Sequence, residues 1–308
     1  MIRAALTLLV LFAGGSATIP AAERDIRPPI TGVSHLAVYA SDLTASDDFY
    51  RRVLGARKAA DPEDPAGVRY FFSGTQFVEL LPLPPGHGPG RLAHVAYTTT
   101  DAAALRRFLL RHGAKQVTRL STADDGERAF SMHDPEGIEV RFVQPPVRTT
   151  PVEPAPVSSR LLHVGQVVHN RTRQDAFYRD LLGFRPYWHG AMQEGATDWV
   201  SQQVPDGSNW LEYMMVGPGS TVDAGRMDAR LLGVLNHLSL GVVDMKATVA
   251  RLTAEGRMPP RHDGPQLGRD GKWQANFYDP DGTRVELMEL RPVAEPCCSP
   301  YTAEHPER

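Results

Sequence analysis

Eight residues of this 308-residue chain fall into step: His35, His94, His163 and His237, and Glu79, Glu139, Glu212 and Glu286. Each histidine precedes its glutamate by 44, 45, 49 and 49 positions in turn. Within each half of the chain the histidines are 59 and 74 apart and the glutamates 60 and 74. Insertions therefore fall in loops while the pairing is kept. Imidazole and carboxylate together suit a divalent ion such as Zn, Ni, Fe or Mn. Two neutral and two anionic ligands neutralise that ion, and an octahedral shell then has two positions left for water or substrate. A lone histidine on a strand is commonly a hydrogen-bonded structural residue, but eight residues in register are not explained that way. Duplication can also preserve residues whose role has lapsed in one copy, so one working site does not require two.

The elements that position these groups repeat as well. "FYRRVLGA" begins at Phe49 and "FYRDLLGF" at Phe177, and His35 and His163 share that 128-residue offset. Each phrase reads as a short helix ended by glycine, and each follows a strand-like stretch, "VSHLAVYASD" or "LLHVGQVVHN". A weaker copy follows in each half. "RLAHVAYTTTD" leads into a helical pattern over 102–111, and "LNHLSLGVVD" into one over 245–255. Asp101 and Asp244 are predicted N-caps, and Gly113 and Gly256 mark the ends. Two copies close with turns of one design, "HDPEG" and "YDPDG". The unit is strand, helix, three strands, and the chain holds four of them. This predicts an α+β fold in which four βαβββ modules pair into two domains, 30–145 and 160–291. Each would be a curved mixed sheet around a cleft. Residues 146–159 form a linker within a proline-rich stretch that reads as stiff and extended.

The termini carry different signals. Residues 1–22 combine Arg3, a short apolar run over 4–13 and small residues, the order of a cleaved secretory signal. That run is too short to span a bilayer, which needs about 20 residues. The expectation is a secreted or periplasmic protein with no membrane attachment after cleavage. The two cysteines, Cys297 and Cys298, are neighbours in a 292–308 tail that reads as disordered. An intermolecular bridge or a lipid attachment is the alternative use for them. With a net charge of −3 and no basic stripe interleaved with aromatics, nucleic acid is not an expected partner.

The His35 and His163 strands, the "FYRRVLG" and "FYRDLLG" helices and the "DPEGIEV" and "DPDGTRVEL" strand ends resemble the vicinal oxygen chelate superfamily. That family includes glyoxalase I, methylmalonyl-CoA epimerase, fosfomycin-resistance proteins and extradiol ring-cleaving dioxygenases. The resemblance covers about residues 30–145 and 160–291. It implies paired βαβββ modules with metal ligands on first and last strands, and it leaves the reaction open. A dioxygenase of this family would hold iron on His163, His237 and Glu286. A glyoxalase-like lyase or isomerase would add Glu212, or Glu79 in the N-terminal half. The sequence departs from the dioxygenase pattern: no histidine lies between Gly271 and Glu286, and Tyr278 sits directly before Asp279.

Period two places Arg141 on the face of Glu139, where it would pair with that carboxylate or bind an anionic substrate. In the C-terminal half the same rule groups Trp210 and Met214 with Glu212, Arg284 and Met288 with Glu286, and His169 with His163. These five form the expected substrate pocket, although the apolar ones would serve equally as core. The favoured metal site is therefore His163, Glu212, His237 and Glu286, with Glu212 and Glu286 as candidate bases. A second candidate site is His35, Glu79, His94 and Glu139. The leading expectation is an exported, metal-dependent lyase or isomerase that acts on vicinal oxygens of a small molecule through an enediolate. An Fe(II) extradiol-type dioxygenase and a non-catalytic small-molecule-binding protein are the alternatives.

Overall fold

A computed structural model describes residues 26–146, 156–227 and 235–307. The proposed signal and most of the linker lie outside them. Among the described residues no helix is long and apolar enough to cross a membrane.

Four strand–helix–three-strand units follow one another. The first is β1 (Ile30–Ala40), α1 (Leu43–Asp48), β2 (Arg57–Ala60), β3 (Val68–Phe71) and β4 (Phe77–Pro82). The second is β5 (Leu92–Thr99), α2 (Ala102–Arg111), β6 (Ser121–Thr122), β7 (Arg128–His133) and β8 (Glu139–Gln144). The third is β9 (Leu161–Val168), α3 (Arg171–Asp175), β10 (Arg185–Gly190), β11 (Trp199–Gln203) and β12 (Trp210–Met215). The fourth is β13 (Leu235–Val242), α4 (Met245–Ala254), β14 (His262–Leu267), β15 (Trp273–Tyr278) and β16 (Arg284–Glu289).

Units pair within each half into two eight-stranded mixed sheets, ordered β2-β3-β4-β1-β5-β8-β7-β6 and β10-β11-β12-β9-β13-β16-β15-β14. In each sheet the two first strands lie antiparallel at the centre, and each runs parallel to the last strand of its own unit. This topology puts the histidine and glutamate positions on four adjacent central strands.

Alternation then sorts the faces. Leu36, Val38, Val78, Leu80, Val95, Tyr97, Val140 and Phe142 enter the core from the first sheet, and Val164, Leu211, Tyr213, Leu238, Val285 and Leu287 from the second. The two sheets share this one apolar cluster. Their opposite faces carry the histidines and glutamates.

The side chains of Asp101 and Asp244 accept from Ala104 N and Ala247 N, which caps α2 and α4. The repeated "FYR" phrase does not continue as an ordinary α-helix. α1 and α3 pass into wide π-helical turns, Phe49–Val53 and Ala176–Leu181, closed by Leu54 N to Phe49 O and Leu182 N to Phe177 O. The tyrosine of each phrase is buried and reaches the opposite half. Tyr50 donates to Asp279 at 3.3 Å, and Tyr178 donates to Asp134 at 3.1 Å. Those aspartates belong to the "YDPDG" and "HDPEG" turns.

The tail is not disordered. Residues 292–307 run back over the second sheet, and Cys297 and Cys298 are bonded to each other. Such a segment has little local propensity to reveal it, since most of the contacts that hold it to the sheet are tertiary.

Candidate metal centre

His163, on β9, and His237, on β13, lie on central strands that pair antiparallel. Their Nε2 atoms face each other at 2.7 Å. Glu286 Oε2 lies 3.4 Å from His163 Nε2 and 3.8 Å from His237 Nε2. Glu212 Oε2 lies 3.8 and 3.5 Å from the same two atoms. All four residues are buried. The close approach of His237 depends on Gly165, because a Cβ built there would lie 2.2 Å from the His237 ring.

Surrounding side chains aim these groups. Ser201 lies opposite Glu212 on β11 and donates to its Oε1 at 3.2 Å, which leaves Oε2 directed at the imidazoles. Asn236 Oδ1 lies 3.0 Å from His237 Nδ1, and Arg284 also donates to that oxygen. Arg284 Nη2 lies 2.7 Å from the same Nδ1, and a metal on Nε2 takes the tautomer in which Nδ1 carries the proton toward Asn236. Trp210 stacks on His163 at 4.5 Å. Beyond Trp210 the fully buried Lys272 ammonium lies 4.6 Å from the indole, 5.1 Å from Tyr301 and 5.4 Å from Tyr187, with no hydrogen-bond partner.

The electrostatics of this group suit a cation. Burial, and then repulsion from Glu286, push Glu212 up to about 8. Burial raises Glu286 to about 7 against the pull of Arg284. Burial drives both imidazoles well below their ordinary value. Glu286 Oε2 is buried with no hydrogen-bond partner. A divalent ion satisfies that oxygen and offsets the carboxylate repulsion, and it uses the neutral imidazoles as they stand. The residues present therefore fit a metal.

A cleft of about 100 Å³ opens over the group. Met214 and Arg284 line it together with Glu212, His237 and Glu286, and so do Trp188, Trp199, Arg269, Asp270 and Gln274. The last five were not foreseen from sequence. They come from strands and a turn beyond the four central ones, and only closure of the sheet brings them in. Trp210 and Met288, expected in the pocket, instead form a small buried cluster with Leu162, Tyr187 and Leu290. His169 sits between the domains. Its Nδ1 lies 3.0 Å from Glu136, which also accepts from the His169 and Asn170 backbone N–H groups.

In the first domain His35 and His94 meet at 3.0 Å between Nε2 atoms, with Glu79 Oε2 at 3.7 Å from His94. These three form a group of potential ligands, and Glu139 lies outside it. A protein cation is already present. Arg69, opposite Glu79 on β3, is buried and reaches Glu79 at 3.4 Å, Asp61 at 3.1 Å, Glu63 at 3.3 Å and Glu127 at 3.8 Å. Arg141 pairs with Glu63 rather than Glu139.

The family model described as "Glyoxalase/Bleomycin resistance protein/Dioxygenase superfamily" matches residues 32–142 and 160–287. The chain belongs to this superfamily. One curated relative is a probable lactoylglutathione lyase, chloroplastic, of Arabidopsis thaliana. It is 30% identical over 141 residues, which are 45% of this chain and 38% of that protein. The match thus spans well under half of that relative's length. Among solved structures, a substrate complex of homoprotocatechuate 2,3-dioxygenase from Brevibacterium fuscum is 19% identical. It covers 91% of this chain and 84% of its own, with a TM-score of 0.59. The enzyme of that name from Arthrobacter globiformis is 17% identical, over 90% and 83%, with a TM-score of 0.62. The superfamily fold therefore extends over both domains, and these named relatives are enzymes.

Proposed function

We infer that the protein is a metal-dependent lyase or isomerase that acts on a small molecule with neighbouring oxygens, at the centre in the second domain. The observation that supports this reading is Glu212, whose Oε2 lies within 3.8 Å of both imidazole Nε2 atoms, in reach of an ion held by the tighter group of His163, His237 and Glu286. A divalent ion held by His163, Glu212, His237 and Glu286 supplies Lewis acidity toward two vicinal oxygens. The chain's own residues do the rest. Arg269 and Arg284 line the cleft and favour a substrate oxyanion, and Trp188 and Trp199 offer flat apolar walls. Glu212, with Oε1 held by Ser201, would loosen at Oε2 from the ligand set, take a proton there from a carbon beside a carbonyl and return it to the neighbouring carbon, with no net redox change.

The test is metal analysis of the purified protein, then turnover of the Glu212→Gln variant. On this reading turnover falls by about 10²–10⁴-fold. An unchanged rate and unchanged metal content would remove Glu212 from the centre. The second reading, an Fe(II) ring-cleaving dioxygenase, draws on the likeness of both domains to homoprotocatechuate 2,3-dioxygenases. Oxygen uptake with catechols would establish it and displace the first. Export is also part of the inferred role, since a protein disulfide persists in an oxidising compartment. An intact mass beginning at Met1 in the native host would exclude signal cleavage.

A further inference from the structure

β10 is an edge strand of the second sheet, and the tail covers it. His189 N donates to Ser299 Oγ at 3.0 Å, and Thr302 N donates to Tyr187 O at 2.9 Å. The tail also reaches the opposite side of the cleft. Cys297 N donates to Arg269 O at 2.8 Å, and Tyr301 donates to Asp270 O at 2.9 Å and closes the aromatic cage around Lys272. Between these two anchors sits the bonded pair of adjacent cysteines. Cys297 O accepts from Trp188 Nε1 at 3.2 Å, and both sulfurs lie against Ala191 O. Trp188, Arg269 and Asp270 are walls of the metal cleft. The disulfide is thus the knot of a strap across the mouth of the site.

We propose that Cys297–Cys298 is a redox-active site for dithiol reductants, and that its reduction unfastens the tail and opens the metal cleft. Cys298 is exposed, so a thiolate can reach it. Attack on its sulfur expels the Cys297 thiolate and leaves a mixed disulfide. The reductant's second thiolate then attacks its own bonded sulfur and releases Cys298. Two electrons and two protons pass to the protein, and the reductant departs as a disulfide. The bond between neighbours closes a small ring, which confines both residues. Cys298 stands at φ +74°, a conformation a side-chain-bearing residue seldom adopts unless held. Opening the ring frees it to leave, and with it go the Cys297 contacts to Trp188 and Arg269.

The experiment compares the oxidised full chain, the chain reduced with a phosphine and alkylated, and the Cys297→Ser/Cys298→Ser variant. One readout is chymotryptic cleavage after Tyr301. The other is the rate at which a chelator strips zinc from zinc-loaded protein. Both should rise at least about tenfold in the second and third samples, and phosphine should not change the variant. The cleavage readout does not involve the metal, so it succeeds or fails independently of the catalytic reading above. The proposal is overturned if the unreduced protein takes up two alkyl groups on its thiols. It is equally overturned if either readout stays within twofold across the three samples.

Discussion

Opposite Glu79 the neighbouring strand carries Arg69, and opposite Glu212 the equivalent position carries Ser201. The guanidinium brings a permanent charge into an ion pair with buried carboxylates, whereas the hydroxyl brings one hydrogen bond, and the positive charge felt by Glu212 and Glu286 comes from Arg284 and Lys272. A second difference points the same way. Ala37 pairs with Glu79 and His94 where Gly165 pairs with Glu212 and His237. One half has built a cation into its covalent structure, and the other has kept the room and the donors for a cation from solution. A duplicated site can thus retain its histidines while one residue on a neighbouring strand decides what they serve.

Removing a ligand is the severest way to break this comparison. His237→Ala should empty the second-domain centre, and His94→Ala should leave its ion in place, as elemental analysis of both variants would show. Equal metal in His237→Ala and the parent protein would falsify the assignment. Next in size is Arg69→Ser, which gives the first domain the residue of the second. Leaving Glu79, Asp61 and Glu127 buried without their cation should cost about 3–5 kcal/mol. Added Zn²⁺ or Ni²⁺ should recover part of that through His35, His94 and Glu79. Melting curves with and without the ion measure it, and a melting point indifferent to the ion would mean that Arg69 only braces the fold. Gly165→Ala is subtler. Its methyl group displaces the His237 ring, and affinity should fall by about 10–100-fold, the scale seen when the partners that orient a ligand are lost.

The smallest effect is on pH dependence. In metal-free protein Glu212 and Glu286 sit near 8 and 7, against 4.5 for the ordinary carboxyl. Above about pH 7.5 the imidazoles are neutral whether the chain is folded or not. There the unfolded chain has already lost the carboxyl protons that the folded chain keeps, so metal-free stability falls as pH rises toward 8. The metal-loaded protein lacks this term for those two groups. The gap between the two melting curves should therefore widen from about pH 7.5 to 8, and a constant gap would contradict the assigned charges.

The paired modules and the register of histidines were legible because both rest on strand alternation and a repeat. Arg69 was not. Which residue faces a glutamate across a hairpin depends on loop length, and 10 residues separate Arg69 from Glu79 while 11 separate Ser201 from Glu212. His169 misled because alternation along β9 was extended past the strand's end at Val168. The tail was illegible for another reason. Tyr301 and Cys297 gain their partners from β10 and the turn before β15, which no local pattern announces.

The crossed pairs, Tyr50 with Asp279 and Tyr178 with Asp134, are those of an isologous dimer: each partner offers the same hydroxyl and the same turn to the other. Glu136 and Asp281, at matching positions in the two turns, repeat the relation by accepting from backbone N–H groups of the opposite half, at His169 and at Ser41. The chain is in this sense two subunits of a symmetric dimer written end to end. Its halves, expressed as separate polypeptides, should find each other and assemble one to one.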